Sequence, residues 1–444
     1  FGGGSTVAFA VAIAAAINQI HTRTEAYIDG FGNDTIDSLT SAQLSSRLAN
    51  RNLGDVAGIY ATGNVLVRAD SMATIDADTV AASLAVAIGG GSAGVSVAGA
   101  GAGPANNIVG YTKAYIDDSD IRATGDVTID TDQRNTIDAD VAAVAAAIGA
   151  SGTAGVGVAL GGGFAFNKIR GEGVGTTQER YDVNFTHKEE LSSGDLVKAK
   201  DGNWYRYIGA SGVVYFSDTD SDEDTRPVTD FSNQSLWREV ESGDFIVEAN
   251  ILNSSIRAQD VNATADAVNT VVVTTAAGSA AITGGGTVGV GVAASFAFTL
   301  NESKVAVRAH VDGSNDLSDS LNVDSITVSA SDDSTLSTET LQAAFAASFS
   351  GTASVSVSIG GAIGRNVMAN TVTAKLEDFG SSQVTDGDVN VTASQEATLR
   401  TEAWAASAAL AVSGTFSLAL SGAGSEANNI VDNAVDARVD DVTL

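Results

Sequence analysis

Cysteine is absent from the 444-residue chain, so no disulfide framework, zinc-thiolate cluster or thiol nucleophile is available. Proline occurs only twice, which suits a backbone whose amides are nearly all engaged in ladders. Histidine occurs three times, at the widely separated His21, His187 and His310, which argues against a hydrolytic triad or a His-rich metal centre. Basic residues are scarce as well: 23 Lys and Arg face 54 Asp and Glu, giving a net charge of −31 and a pI near 4.1. The resulting field repels phosphate, so nucleic acid is not an expected partner. No acid/base pair or nucleophile constellation stands out, and the chain is not expected to be an enzyme. The apolar start "FGGGSTVAFAVAIAAAINQI" lacks the basic n-region of a signal peptide.

Repetition is what the sequence has instead. "AYID" at Ala26 returns at Ala114, and looser copies begin at Ala249, Ala309, Ala374 and Ala437. Upstream of these stands an Asn: Asn18, Asn106, Asn301, Asn366 and Asn429, with Asn167 filling the place in an interrupted copy. Downstream, a turn leads into a new strand at Val65, Val127, Val261, Ile326 and Val389. Each is followed by a Thr: Thr74, Thr136, Thr270, Thr335 and Thr398. Four of these threonines have an acid four residues on, at Asp78, Asp140, Glu339 and Glu402. An Ala/Gly-rich stretch without charge completes each unit. Both chain ends fall inside a unit, so the sequence reads as an excerpt of a longer array.

The uncharged stretches pose the question of helix, strand or membrane span. Residues 137–170, "IDADVAAVAAAIGASGTAGVGVALGGGFAFNKIR", carry no charge between Asp140 and Lys168, a run as long as a spanning helix. Val141, Val144 and Ile148 fit a helical period, with Asp140 as a cap. Against this, "SLAVAIGG" and "GVGVALGGG" alternate by two, and Ser/Gly turns break every run. The flanks are acidic rather than positive, so no membrane-spanning helix is expected. A transmembrane barrel is disfavoured by the lack of aromatic girdles. The reading adopted is two dry strands joined at 150–153 by a hairpin-like turn, the first entering a doubly covered interior. The expected fold is all-β: an elongated repeat array, either β-solenoid-like or of stacked long β-hairpins. It runs over residues 1–175 and 245–444, with one small aromatic-rich β-module inserted at 176–244.

The inserted stretch contains "GDLV", "GNWYRYIG" and "LWREV". This pattern resembles small chitin- or cellulose-binding modules. Gly194, Asp195 and Val197 match the family's opening, Gly202 and Tyr205 its middle, and Trp237 and Val240 its end. The resemblance implies glycan contacts from Trp204, Tyr205, Tyr207, Tyr215 and Trp237. In a module of this size Tyr205 and Trp237 read first as its own core, which leaves Trp204 and Tyr215 as the better candidates for exposed contacts. Nearby, "DTDSDEDT" sets Asp218, Asp220 and Asp222 at the spacing of a calcium loop, with Asp224 beside them. Glu223 and Thr229 stand where that loop needs Gly and Glu, so the pattern favours a solvated acidic loop over a calcium site.

The array motifs "AYID", "TGDVTI", "TIDAD" and "GVGVA" look like the repeats of giant bacterial secreted or surface proteins, the large adhesin, haemagglutinin-like and leukotoxin-like group. That resemblance implies a secreted or cell-surface location and a structural or adhesive role as a stiff fibre or surface projection. Its partners would be copies of itself, neighbouring repeats or surface glycans. The acids at Asp29, Asp117, Asp312, Glu377 and Asp440 recur at one repeat position, which suits solvent exposure or shared calcium. The alternative is a membrane-active toxin segment whose Ala/Gly-rich hairpins insert into lipid.

Overall fold

The computed structural model describes residues 4–30, 58–171, 243–313, 321–379, 383–384 and 387–442, together with short strands between 180 and 240. The described residues contain no helix. Every uncharged stretch is strand, so period-two alternation decided against the helical alternative.

Each unit is one coil of a parallel array, consistent with solenoid-like winding. A long outbound strand crosses the molecule; the five of these are Val65–Gly89, Val127–Ser151, Asp260–Gly285, Ser325–Ser350 and Val389–Ser413. They pair only with one another, in parallel, to form the first sheet. After a two- or three-residue tip the chain returns in a second sheet, again pairing in parallel with the coils before and after. Short strands at Ile59–Ala61, Asp120–Ala123, Ser255–Arg257, Leu321–Val323 and Gln383–Val384 close the base as a third sheet. A 25-residue strand at about 3.3 Å per residue makes each coil about 80 Å deep. The hairpin expectation is therefore corrected. Outbound and return strands lie in different sheets, and the hydrogen bonds run from coil to coil.

The repeated residues stack in register. The six alanines at 26, 114, 249, 309, 374 and 437 form one column. The five threonines form another. The six asparagines form a continuous side-chain ladder. Each Nδ2 donates to the next Oδ1, from Asn18 to Asn106 and Asn167 (2.8 Å each), then Asn301 (2.9 Å), Asn366 and Asn429 (3.1 Å each). Asn167, Asn301 and Asn366 are fully buried, and their amides are satisfied by the ladder together with outbound-strand partners: Asn301 donates to Thr338 Oγ1 (2.7 Å), and Asn366 donates to Thr401 Oγ1 (2.9 Å) and accepts from Thr338 Oγ1 (2.7 Å).

A second polar spine was not singled out from sequence. Asn135 donates to Asn269 at 3.2 Å, and buried Asp332 accepts from Ser334 (2.6 Å), Asn370 and Gln395 (2.8 Å each). At the base corner five of the six return segments are followed by a residue in left-handed conformation: Gly30 (φ 72°), Asp118 (45°), Asn253 (47°), Asp378 (61°) and Asp441 (48°). Gly, Asn and Asp are the residue types that tolerate it.

Close approach of the two sheets explains the glycines near the tips. A Cβ on Gly155 would run into the Gly284 carbonyl of the opposite sheet, and one on Gly161 into that of Gly278. Backbone meets backbone there, with only Ala, Gly, Ser and Thr between.

Candidate functional site

Along each strand the coil divides into a charged base and an uncharged outer half. On the base, the second sheet sets Lys113, Glu248 and Arg308 at one register position of successive coils. Lys113 Nζ lies 3.2 Å and Arg308 Nη1 3.6 Å from the Glu248 carboxylate. Burial pushes the Glu248 carboxyl up, but Lys113 and Arg308 together outweigh it and hold it down at about 2. Tyr27 and Tyr115 stack face to face in the adjoining column, with ring centroids 5.1 Å apart.

The repeat acids Asp29, Asp117, Asp312, Glu377 and Asp440 also stack, with Leu252 taking the interrupted coil's place. Partial burial, then the like charges of Glu377 and Asp378, raise the Asp312 carboxyl to about 6. Burial raises Asp117 too, with Asp29 adding to it and a 3.0 Å hydrogen bond from Asn253 opposing it. On the first sheet, Asp138 is raised by burial and by Asp140, Asp76 and Asp78. Among the described residues, no three acidic or His side chains converge in an arrangement able to hold a metal ion.

The outer half differs from the doubly covered interior expected from sequence. Between the sheets lie small residues: Ala143, Ala145 and Ala147 face Gly157, Ala159 and Gly161. The larger side chains point outward on both faces. Leu84 is 61% exposed, Val144 53%, Ile359 57% and Leu420 58%. Only the inward face is covered; the outward one is apolar and open. The correction has a simple cause. Both parities are uncharged here, so polarity contrast does not set the face, and the tight fit between sheets admits only the small set.

The charge-free zone begins beyond Asp78, Asp140, Glu339 and Glu402 on the first sheet, which share one register position. On the second it begins beyond the Lys168–Glu302 ion pair (2.6 Å) and Arg365, except in the last coil, where Glu426 stands in the column of Phe164 and Phe298. Immediately outward, Phe166 packs on Phe298 (5.5 Å) and Phe164 on Phe296 (6.1 Å). Stacking thus gathers aromatics that the sequence scatters between two coils.

The insertion enters at a defined point. The later return strands break near Lys304, Ala369–Asn370 and Asp432–Asn433. In the interrupted coil the first segment ends at Arg170 and the strand resumes at Phe245. The Gly171 N–H donates to the Gly243 carbonyl (3.3 Å), and Lys304 bridges the gap through backbone bonds to Ile169 and Phe245. Among the candidate glycan residues, Tyr207 pairs with Trp237 across an antiparallel ladder, and Trp204 pairs with Lys198 and Val240. Tyr205 pairs with Val197, which is buried, and with Glu239. Tyr215 pairs with Lys188 in a separate two-stranded sheet. The candidate calcium residues Asp218, Asp220, Asp222 and Asp224 lie outside the described residues.

No helix among the described residues is long and apolar enough to cross a membrane, which says nothing of strands. Comparison with protein-family models, curated proteins and solved structures found no match to this chain.

Proposed function

We propose that the chain is a structural or adhesive segment of an extracellular bacterial repeat protein, forming a stiff fibre or surface projection. The observation that carries this reading is the in-register parallel pairing of every array strand from coil to coil, locked by the asparagine ladder. Each coil presents open strand edges that only another coil satisfies, so length and stiffness grow together. The inserted module is proposed to carry glycan-binding aromatics, on the strength of its sequence pattern. Calcium bridging neighbouring carboxylates belongs to the same proposal, supported by the in-register pairs Asp29–Asp117, Asp312–Glu377 and Glu377–Asp440. Electron microscopy of chains with different coil numbers tests the structural role. Rods that lengthen with coil number support it, and compact particles of constant length contradict it.

A further inference from the structure

We propose that the uncharged outer half of the array is a lipid-facing blade that buries its two apolar faces in the acyl-chain layer of a bilayer. This goes beyond the structural role and does not depend on it.

Four observations converge. The first is the inverted size order, with Ala and Gly between the sheets and Val, Leu, Ile and Phe outside. In water the larger side chains gain most by facing inward, whereas in lipid small residues mediate contact between elements and large apolar ones face the chains.

Height is the second. From Asp140 to the strand end at Ser151 the outbound strand rises about 35 Å at ~3.3 Å per residue, close to the ~30 Å hydrocarbon core. The boundary is marked on one face by the acid row and on the other by Lys168, Glu302 and Arg365, with Glu426 of the last coil the one charge beyond it among the described residues of that sheet. Trp404, 63% exposed, lies just past Glu402, where an amphipathic ring suits the interface.

The third concerns the backbone, which must be fully paired at membrane depth. Strands between the end coils have partners on both sides, and the tips are paired too. Gly286 donates to Ser151, Gly351 to Gly286 and Gly414 to Gly351 (3.3, 3.2 and 3.2 Å), and Thr352 and Thr415 continue a second such row (3.2 Å each). These turns of Gly, Ser and Thr carry no charge.

Charge is the fourth. A second copy laid on the first sheet in the same sense would set Asp76, Asp78, Asp138 and Asp140 against their own counterparts. A bilayer asks nothing of that acidic base, which stays in water.

The test uses the full chain and vesicles of zwitterionic phosphatidylcholine, which offer no net charge to bind. Wild-type protein is expected to co-float with the vesicles in both 0.1 M and 1 M salt. The triple variant Val144→Glu, Phe345→Glu, Leu410→Glu places carboxylates on side chains already exposed to water, so its circular dichroism and melting should match the wild type. Its vesicle binding should fall at least about tenfold. Thr264→Glu, on the base, should bind as the wild type does. Failure of the wild type to float overturns the proposal, and so does equal flotation of the triple variant. Concentration-dependent self-association that the triple variant abolishes, without vesicle binding, assigns the faces to a second copy and equally overturns it.

Discussion

Asn167 and Asn301 are separated by 134 residues in sequence and joined by a 2.9 Å hydrogen bond between their side-chain amides. The insertion lies between them, yet the ladder runs on from Asn106 to Asn366. The array's register is therefore set by the coil-to-coil contacts, and the inserted residues are accommodated at a place where the later return strands already break.

Asn167→Ala should be strongly destabilising. It leaves the Asn106 donor without its ladder acceptor and removes one bond to the Asn301 oxygen, both buried. The expected loss is about 2–4 kcal/mol, measured by chemical denaturation. Asn18→Ala, at the open end and part-buried, should cost less than about 1 kcal/mol.

Gly161→Val tests the closeness of the sheets. The new side chain has no room against Gly278 of the opposite sheet, and overpacking of this kind costs about 1–3 kcal/mol or more. Gly422→Val, where a Cβ meets nothing within 4 Å, should leave the melting temperature unchanged.

The acid column gives stability a pH dependence of unusual sign. Asp312 has its folded pKa raised from its ordinary value to about 6, so its contribution is complete below about pH 4 and is lost as pH rises through 6. The raised Asp117 and Asp138 act in the same direction. Lowering the pH from 7 to 5 should therefore raise the melting temperature. Asp312→Asn should stabilise at pH 7 by about 1 kcal/mol after solvent screening, and should flatten that slope. Glu248 opposes this below its ordinary value of 4.5, its stabilising contribution being lost progressively as pH falls from there to about 2.

If calcium relieves the same column, millimolar calcium should raise the melting temperature at pH 7 and chelation reverse it, and the effect should shrink in Asp312→Asn. A calcium response unchanged by that substitution would place the ion elsewhere.

Joining Gly171 to Gly243 through a short linker tests the inserted module. Their backbone hydrogen bond shows that the two ends meet, so the array should keep its melting profile. Binding to immobilised chitin or cellulose should be lost with the module. Retained binding would move the glycan site into the array.

Much of this architecture was legible in the sequence because parallel in-register stacking puts like on like. The Asn, Thr and Ala columns are the repeat positions themselves, and Asn167 could be assigned across the insertion for that reason. What was not legible depends on contacts between non-repeating positions. The Lys113–Glu248–Arg308 pairing uses three different residue types at one register position, so repetition does not mark it. The outward direction of Val144 and Leu160 was hidden because Ala and Val alternate without polar contrast. Only the backbone contact of Gly161 with Gly278 decides which set faces in.

The fold rests on a parallel stack of coils about 80 Å deep. Cryo-electron microscopy of the intact chain measures it most directly. The expected particle is a blade whose strands run along its ~80 Å depth and stack side by side every ~4.8 Å from coil to coil. A particle much shallower than ~80 Å, or outbound and return strands paired with each other in one antiparallel sheet, overturns this fold.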